Sequence, residues 1–210
     1  MARIKALPTE HSSRYYPDDY FAPLNWEQVF ENTAPVEIEL GAGDGSFLLH
    51  YATQHPKLNL LGIERLLGRI RKIDRNAYKA KISNLRLLRI EAGYFLKYLP
   101  INHSVQGIHV YFPDPWPKKR HHKNRLINSM FVEQCKRVLT PAGHVYLRTD
   151  HVEYFEQMVS VFGASPDFEL LDTPEQLKCI KTDFEAEFNQ QGIRTQYATF
   201  RFVAETSPDC

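Results

Sequence analysis

The residues best suited to chemistry stand in a short stretch that combines a carboxylate, an indole ring and a run of cations. Prolines at positions 113, 115 and 117 flank Asp114 and Trp116. Because proline fixes its own φ and supplies no amide hydrogen, this stretch predicts a stiff, extended loop that holds Asp114 and Trp116. The cations that follow are Lys118, Lys119, Arg120, Lys123 and Arg125, with His121 and His122 among them. A fixed carboxylate beside an aromatic ring and dense positive charge is typical of a site that handles a polyanion.

Acidic side chains stand at the ends of several short apolar runs that read as β-strands. These runs cover residues 36–40, 60–63, 85–90, 105–111 and 144–148. The acids that follow them are Glu64, Glu91, Asp114 and Asp150, and Glu39 lies within the first run. In an open parallel sheet the ligand lies beyond the carboxyl ends of the strands, so we expect these carboxylates to face one cleft. Carboxylates that face one cleft repel each other, which indicates hydroxyl, amine or cationic partners for them.

The strands alternate with amphipathic stretches that predict helices. The predicted helices cover residues 46–55, 66–80, 92–98, 127–139 and 152–162, after a short helix to residue 30 that Asn25 caps. This alternation indicates right-handed βαβ units and a parallel sheet. The last apolar runs, 168–171 and 195–203, are expected to pair antiparallel at the sheet edge. The predicted fold class is therefore α/β and Rossmann-like, with a mostly parallel sheet and an antiparallel C-terminal edge strand.

Length and composition fit one domain. We expect a partly ordered arm over residues 1–34, a single domain over residues 35–205 and a tail over residues 206–210, because no linker rich in Gly, Ser or Pro divides the chain. Lys and Arg number 26 against 25 acids, so attraction to a polyanion must be local. A second set of cations lies on the helix predicted over residues 66–80 and its flanks, and we interpret it as a solvated helix exterior. Its members are Arg65, Arg69, Arg71, Lys72, Arg75, Lys79 and Lys81.

Other features exclude several classes of protein. Cys135, Cys179 and Cys210 form no CxxC pair, which favours a reducing cytoplasm over a disulfide scaffold. No apolar run approaches the ~18 residues of a membrane span, so no membrane partner is expected. His121 and His122 have no third ligand at useful spacing, so no metal site is predicted.

A glycine-rich turn follows the first predicted strand. Gly41, Gly43 and Gly45 are spaced as GxGxG, and glycine permits a tight turn and close approach of backbone to a ligand. A dinucleotide fingerprint, GxGxxG, requires glycine where Ser46 stands, so the spacing is wrong for a nicotinamide dehydrogenase. Glu64, at the end of the next strand, is suited to accept hydrogen bonds from both hydroxyls of a ribose.

The order of these parts resembles class I S-adenosylmethionine-dependent methyltransferases. In that family an acid stands two residues before the glycine loop, an acid ends the second strand and a polar residue ends the third. The resemblance implies that Glu39, Gly41 and Gly43 face the methionine end of the cofactor, Glu64 the ribose and Glu91 the adenine. A sulfonium is a cation, so a rim rich in carboxylates suits this cofactor better than it suits a pyrophosphate.

A narrower resemblance is to bacterial tRNA (guanine-N7-)-methyltransferases. It is carried by the loop 113–123, by Thr149 and Asp150, and by residues 182–185, within a similarity that runs from about residue 36 to 203. It implies methyl transfer to N7 of a tRNA guanosine, at position 46 of the variable loop, with tRNA and no DNA as partner. A monomer or homodimer is expected. Two positions depart from the family pattern, with Glu91 where Asp is usual and Asn124 where Arg or Lys is common.

The resemblance also implies roles for individual residues. Asp114 would contact the cofactor and act in catalysis. The target nucleotide would be bound by Lys118, Asp150, Thr182, Asp183, Phe184 and Glu185. Guanine N7 carries a lone pair and no proton, so methylation requires in-line approach and a site that accepts positive charge. The donor edge of the purine would be gripped by either Asp150 or Glu185.

Three residue sets keep more than one interpretation. The five cations between positions 118 and 125 are expected to engage phosphates, or else to form the solvated start of a basic helix after a proline-stiffened turn. Trp116 would pack against base or ribose, or else anchor the core. The spacing of Thr182 and Glu185 is also that of a helix capping box, which does not exclude a nucleotide site.

Two further functions share part of the pattern. A methyltransferase of the same fold that acts on a small molecule or a protein has no use for five clustered cations. A non-catalytic RNA-binding module would explain the basic loop, but it would not explain the carboxylates at the rim.

Overall fold

The computed structural model describes residues 12–203, which form a seven-stranded sheet flanked by helices. The strands are β1 (Val36–Leu40), β2 (Asn59–Ile63), β3 (Leu85–Leu88), β4 (Val105–Tyr111), β5 (Leu139–Thr149), β6 (Phe168–Leu171) and β7 (Gln196–Phe202). The α-helices are α1 (Trp26–Phe30), α2 (Ser46–Gln54), α3 (Leu67–Lys79), α4 (Ala92–Tyr98), α5 (Ser129–Val138), α6 (Val152–Gly163), α7 (Glu175–Cys179) and α8 (Asp183–Gln190). A 3-10 helix spans Lys119–Asn124. The predicted tail over residues 206–210, and residues 1–11 of the predicted arm, lie outside the described residues.

The strand order is β3-β2-β1-β4-β5-β7-β6. The pairs from β3 to β5 are parallel, and β7 is antiparallel to both of its neighbours. The α/β class and the mostly parallel sheet are confirmed. The C-terminal strand is antiparallel as predicted, and it lies one place inside the edge that β6 forms. Because the strand order reverses between β1 and β4, a crevice opens beyond their carboxyl ends.

The strands from β1 to β5 are easy to read from sequence because helices cover both faces of the sheet. All five residues of β1 and of β2 are buried. Successive side chains point to opposite faces, so Leu60 joins one apolar cluster and Leu61 the other. A parallel strand that is buried on both faces requires a continuous apolar run, which is the pattern that the sequence shows.

The predicted start of β5 is wrong. A loop was expected over residues 140–143, but the strand continues through them from Leu139. Ala142 has a φ of 61°, and the register with β4 shifts between Val105 and Gly107, so an irregular stretch of strand stands where the loop was expected. The preceding helix begins later than predicted because Asn128 caps it by accepting a hydrogen bond from the Phe131 amide.

Part of the N-terminal segment is fixed to the edge of the sheet. The Tyr15 amide donates to the Leu87 carbonyl at 2.8 Å, which continues the sheet beyond β3. Asp74, which is buried, accepts from the Ser13 amide at 2.8 Å and lies 3.0 Å from Arg14 Nε. Contacts between polar residues so far apart in the chain leave no periodic signal, and the sequence did not predict them.

No α-helix within residues 12–203 combines the length and the apolar character that a membrane span requires.

Gly45 generates a test of the turn between β1 and α2. Its φ is 84°, and a Cβ placed there would lie 2.6 Å from Ile73 Cγ1. We expect Gly45→Ala to lower the free energy of unfolding by about 2–3 kcal/mol, through backbone strain and steric overlap, as measured by urea denaturation. Gly68→Ala is the matched control, because a Cβ there meets open space within α3 and should stabilise the helix by ~0.5–1 kcal/mol. Equal losses in the two variants would contradict the steric argument.

Candidate active site

Two cavities that share part of their lining lie beyond the carboxyl ends of the strands. The larger has a volume of about 470 Å³, and its lining includes Gly41, Glu64, Glu91, Asp114 and Trp116. The smaller has a volume of about 80 Å³, and its lining includes Glu39, Gly41, Gly43, Thr182 and Phe184. Arg69 and Tyr111 border both. The structure therefore brings together the glycine loop, four of the predicted acids and part of the segment 182–185.

Four predicted site residues lie outside these linings, namely Lys118, Asp150, Asp183 and Glu185. Asp150 follows β5 at the carboxyl end of the sheet and is half-buried, and Lys118 is exposed just before the 3-10 helix. Among the described residues, neither is part of the lining of either cavity.

The glycine loop leaves open space beside the backbone. The φ angles of Gly41 and Gly43 are 81° and 57°, a region that side-chain-bearing residues rarely adopt. A Cβ at Gly41 would meet nothing within 4 Å, and one at Gly43 would meet only a backbone oxygen at 3.9 Å. The loop is fixed to the end of β2, because the amides of Gly41 and Ala42 both donate to the Ile63 carbonyl at 2.9 Å. A ligand can therefore approach the backbone closely.

Glu64 connects the glycine loop to the start of α3. It is 5% exposed, and its Oε2 accepts from the Gly43 amide at 3.1 Å while Oε1 accepts from the Leu66 amide at 2.7 Å. Arg69 Nη1 lies 3.5 Å from the same Oε2. The carboxylate therefore has two backbone donors and one movable cation as partners.

Glu39 is a buried carboxylate with an oxygen that has no hydrogen-bond donor. Its residue exposure is 4%, and within residues 12–203 no group donates to Oε2. Burial raises the pKa of Glu39 to about 8, against the opposing charge of Arg148 and with the help of Asp44 and Glu64. An arriving ammonium or sulfonium would supply the missing positive charge. The residues present therefore fit a cationic ligand.

Glu91 and Asp114 both line the larger cavity. Glu91 caps α4, because Oε1 accepts from the Gly93 amide at 2.9 Å and Oε2 from the Tyr94 amide at 2.7 Å. Each oxygen retains a lone pair that can accept from a ligand. Asp114 is exposed at the cavity surface, between the prolines that stiffen its loop.

Arg125 holds the proline-rich loop, and its predicted contact with phosphate is wrong. The residue is 2% exposed. Its Nε donates to the Pro115 carbonyl at 2.8 Å and its Nη1 to Gln157 Oε1 at 2.6 Å, while the guanidinium lies 4.8 Å from the centre of the Tyr154 ring. The cation is used inside the protein to fix the loop against α6.

Trp116 lies at the cavity surface and not in the core. It is 36% exposed, has a φ of 45°, and meets His121 edge to face at 5.8 Å. The cations around it that are exposed to solvent are Lys118, Lys119, Arg120 and Lys123. The aromatic ring and four exposed cations therefore belong to one short segment of the chain that directly follows Asp114.

The segment 182–185 begins α8 as a capped helix. Thr182 Oγ1 accepts from the Glu185 amide at 3.0 Å, as the capping-box spacing predicted. The Glu185 side chain then turns inward, where it is 0% exposed and bonds to Arg148 Nη1 at 3.0 Å and to the Tyr197 hydroxyl. Glu185 is therefore enclosed by protein partners in place of the nucleotide that the resemblance implied.

Asp183 joins this segment to the glycine loop. Its amide donates to Ser46 Oγ at 3.0 Å. Its carboxyl hydrogen bond to Asp44 raises the pKa of Asp183. Although burial raises the pKa of Asp44, its hydrogen bonds with Asp183 and Lys72 lower that pKa to about 2. The next residue, Phe184, is 51% exposed and contributes its ring to the smaller cavity.

Arg148 is the central residue that the sequence did not predict. It is 1% exposed at the end of β5, with its guanidinium 4.0 Å from the centre of the Tyr111 ring. It donates to the Ile180 carbonyl at 2.7 Å and pairs with Glu185, so it ties the segment between α7 and α8 to the sheet. The available signal was an arginine that ends a buried apolar strand, since such a charge requires an internal partner.

Comparisons with known proteins show the family of this chain. A family model described as a putative methyltransferase matches residues 33–201. A tRNA (guanine-N(7)-)-methyltransferase of Nitrosococcus oceani is 36% identical over 193 residues, which cover 91% of this chain and 81% of the relative. Another, of Alkalilimnicola ehrlichii, is 34% identical over 178 residues, covering 85% and 75%. This chain belongs to the tRNA (guanine-N7-)-methyltransferase family.

Solved structures of more distant proteins share the fold of this family member. The 16S rRNA methyltransferase KamB matches with a TM-score of 0.60 at 17% identity, over 84% of this chain and 91% of KamB. TrmN from Thermus thermophilus matches with a TM-score of 0.59 at 15% identity, over 84% of this chain and 47% of TrmN. At these identities the likeness shows the fold alone, which is that of class I methyltransferases.

The raised pKa of Glu39 predicts a pH dependence of stability. Between its ordinary value of 4.5 and about 8, the folded protein binds more protons at this group than the unfolded chain does. The group therefore lowers the free energy of unfolding as pH rises through that window. Glu39→Gln removes this titration, so the variant should gain stability relative to the wild type between about pH 5 and pH 8 in urea denaturation.

Glu37→Gln is the matched control for this measurement. Burial acts against it, but the hydrogen bond and charge of His109 lower the pKa of Glu37 below its ordinary value. Its ionised form therefore stabilises the fold throughout this pH window, and Glu37→Gln should lose stability at both ends of it. A Glu39→Gln variant that behaves like Glu37→Gln would contradict the assignment of Glu39 as an uncompensated acid.

Proposed function

We propose that this protein transfers the methyl group of S-adenosylmethionine to N7 of a guanosine in tRNA, in the variable loop. One observation carries the proposal. A single cleft has acidic walls, formed by Glu39, Glu64, Glu91 and Asp114, and an exposed basic 3-10 helix at its rim. An acidic cleft suits a cationic methyl donor, and a basic rim suits an RNA backbone.

The residues of the cleft match the parts of the cofactor. When bound, S-adenosylmethionine supplies a methyl group on a positively charged sulfur. Glu39, as the acid without a donor, would face the positively charged methionine end beside Gly41 and Gly43. Glu64 would accept from the ribose hydroxyls, and the lone pairs that Glu91 retains would accept from the adenine amine.

The target base would enter beside the proline-rich loop. Guanine N7 needs no general base, so the chain has to position the ring and accept the charge that develops on it. Asp114, held between Pro113 and Pro115 and exposed in the larger cavity, would provide a negative charge there. Trp116 and Phe184 offer exposed aromatic surfaces for the ring.

In this proposal Asp150 binds the edge of guanine that carries the hydrogen-bond donors. Glu185 is bonded on both sides by Arg148 and Tyr197, so its carboxylate is already occupied. Asp150 is half-buried at the carboxyl end of β5 and is the acid that remains for the N1 and amino protons of the base. Glu185 would then act by positioning α8 and its Phe184. With tRNA as its substrate, the protein would act in the cytoplasm.

The direct test of the function uses unmodified tRNA and a cofactor with a labelled methyl group. The expected result is one labelled guanosine per tRNA, at a nucleotide where the chain becomes labile because N7 carries a methyl group. Label at another atom, or only in small molecules or protein, would overturn the proposal.

Substitution of Asp114 tests its role in the reaction. We expect Asp114→Ala to lower kcat by more than about ten-fold, because it removes a negative charge and a positioning group beside the reacting base. Asp172→Ala is the matched control, since Asp172 is exposed outside both cavity linings. Steady-state methylation of tRNA measures both. Unchanged turnover in Asp114→Ala would remove Asp114 from the mechanism.

Neutralising the basic rim should weaken tRNA binding and its dependence on salt. We expect simultaneous Gln substitution of Lys118, Lys119 and Lys123 to reduce the slope of log Kd against log salt by roughly two, at about 0.7 to 0.9 for each phosphate that the variant no longer neutralises. Titration of labelled tRNA at several salt concentrations measures this slope.

The control substitutes three lysines at the opposite end of the sheet. Lys57, Lys79 and Lys97 are exposed, and each precedes the strand β2, β3 or β4 at its amino end. Their simultaneous replacement by Gln removes the same charge and should leave the slope almost unchanged. Equal slopes in the two triple variants would contradict the location of the interface.

A further inference from the structure

The cations of α3 include one that the proposed function leaves without a role. The sequence indicated a solvated helix exterior for this set. In the structure, Arg65 and Arg69 both line the larger cavity, and Arg69 lines the smaller one as well. Arg69 therefore stands where the two cavities meet, in a cleft whose other charged lining residues are mostly acids.

Arg69 rests against the acid that is proposed to hold the ribose. Its Nη1 lies 3.5 Å from Glu64 Oε2, and the side chain of Arg69 is 44% exposed while that of Glu64 is 6% exposed. An ion pair whose cation is this exposed to solvent contributes little to stability, so it can be exchanged for another interaction at small cost.

The hydrogen-bonding capacity of Glu64 makes Arg69 the partner that has to leave. A carboxylate has about four lone-pair sites, and the amides of Gly43 and Leu66 already occupy two of them. A ribose diol donates two more hydrogen bonds, which leaves no site for Arg69. The two amides are fixed by the glycine loop and by the start of α3, whereas Arg69 is at the end of a flexible side chain.

We propose that Arg69 is a phosphate ligand for tRNA that becomes available only when the cofactor is bound. With the ribose site of Glu64 free, Arg69 pairs with Glu64. When the ribose occupies Glu64, the guanidinium is released in the larger cavity, which Arg65 and Asn124 of the basic 3-10 helix also line. This inference rests on the proposed function, and it adds a coupling between the two substrates.

The proposed coupling has a thermodynamic consequence. If the cofactor releases a phosphate ligand, it must strengthen tRNA binding, and tRNA must strengthen cofactor binding by the same factor. Two acids in the same cavity, Glu91 and Asp114, compete for the released guanidinium. Capture by either would leave tRNA affinity independent of the cofactor, a result that tRNA binding measured in both states distinguishes.

The experiment measures tRNA binding by fluorescence anisotropy with and without S-adenosylhomocysteine, which has the same ribose and transfers no methyl group. For the wild type we expect S-adenosylhomocysteine to tighten tRNA binding by about five-fold or more. In Arg69→Gln this tightening should disappear, while the Kd measured without S-adenosylhomocysteine stays close to that of the wild type. Calorimetry without tRNA should show S-adenosylhomocysteine binding to the variant at least as tightly as to the wild type, because its competitor for Glu64 is gone.

Arg65→Gln is the matched control. Arg65 borders the same cavity and has its carbonyl, not its guanidinium, bonded to Arg89, so its charge is expected to be available in both states. Its loss should weaken tRNA binding equally with and without S-adenosylhomocysteine. The inference is overturned if Arg69→Gln keeps the tightening, or if it weakens tRNA binding equally in both states. If the wild type binds neither tRNA nor S-adenosylhomocysteine, the proposed function fails together with it.

Discussion

The cleft depends on keeping several carboxylates close together with few cations between them. The protein meets this constraint in a different way at each acid. Glu91 and Glu64 are solvated by backbone amides, at α4 and at the glycine loop respectively. Glu185 is neutralised by a buried arginine. Glu39 has one oxygen without a donor, and burial raises its pKa to about 8. The site is therefore organised around acids, and a positively charged ligand would favour the ionised form of Glu39.

Arginine serves two separate purposes in this molecule. Arg125 and Arg148 are buried and bind carbonyl oxygens, so each fixes one segment that borders the cleft. The planar guanidinium suits this task because it offers several donors and stacks on an aromatic ring, as each does here on a tyrosine. The cations at the rim are exposed and have few protein partners, which leaves their charge for a ligand. A buried arginine therefore fixes the structure around the site, whereas an exposed cation at the rim is available to a ligand.

Two aromatic residues that line the larger cavity have a strained backbone. Phe112 and Trp116 have φ angles of 51° and 45°, an arrangement that costs an aromatic residue on the order of 1–3 kcal/mol. Such a conformation persists only where surrounding contacts determine it. The hydrogen bond from Arg125 to Pro115 and the packing of Arg125 on Tyr154 supply these contacts. Arg125 therefore fixes the loop that carries Asp114 and Trp116.

The sequence by itself determined the order of the elements, the parallel sheet and the set of acids at its carboxyl rim. These features follow from local rules, because apolar runs of strand length, glycines at positive φ and acids at strand ends are readable without knowing any distant contact. The tertiary structure alone decided which charges remain available. Arg125 and Lys123 look alike in the sequence, as do Glu185 and Asp183, yet one of each pair is enclosed. Burial depends on residues far away in the chain, such as Tyr154 for Arg125 and Tyr197 for Glu185. No local sequence pattern indicates those contacts.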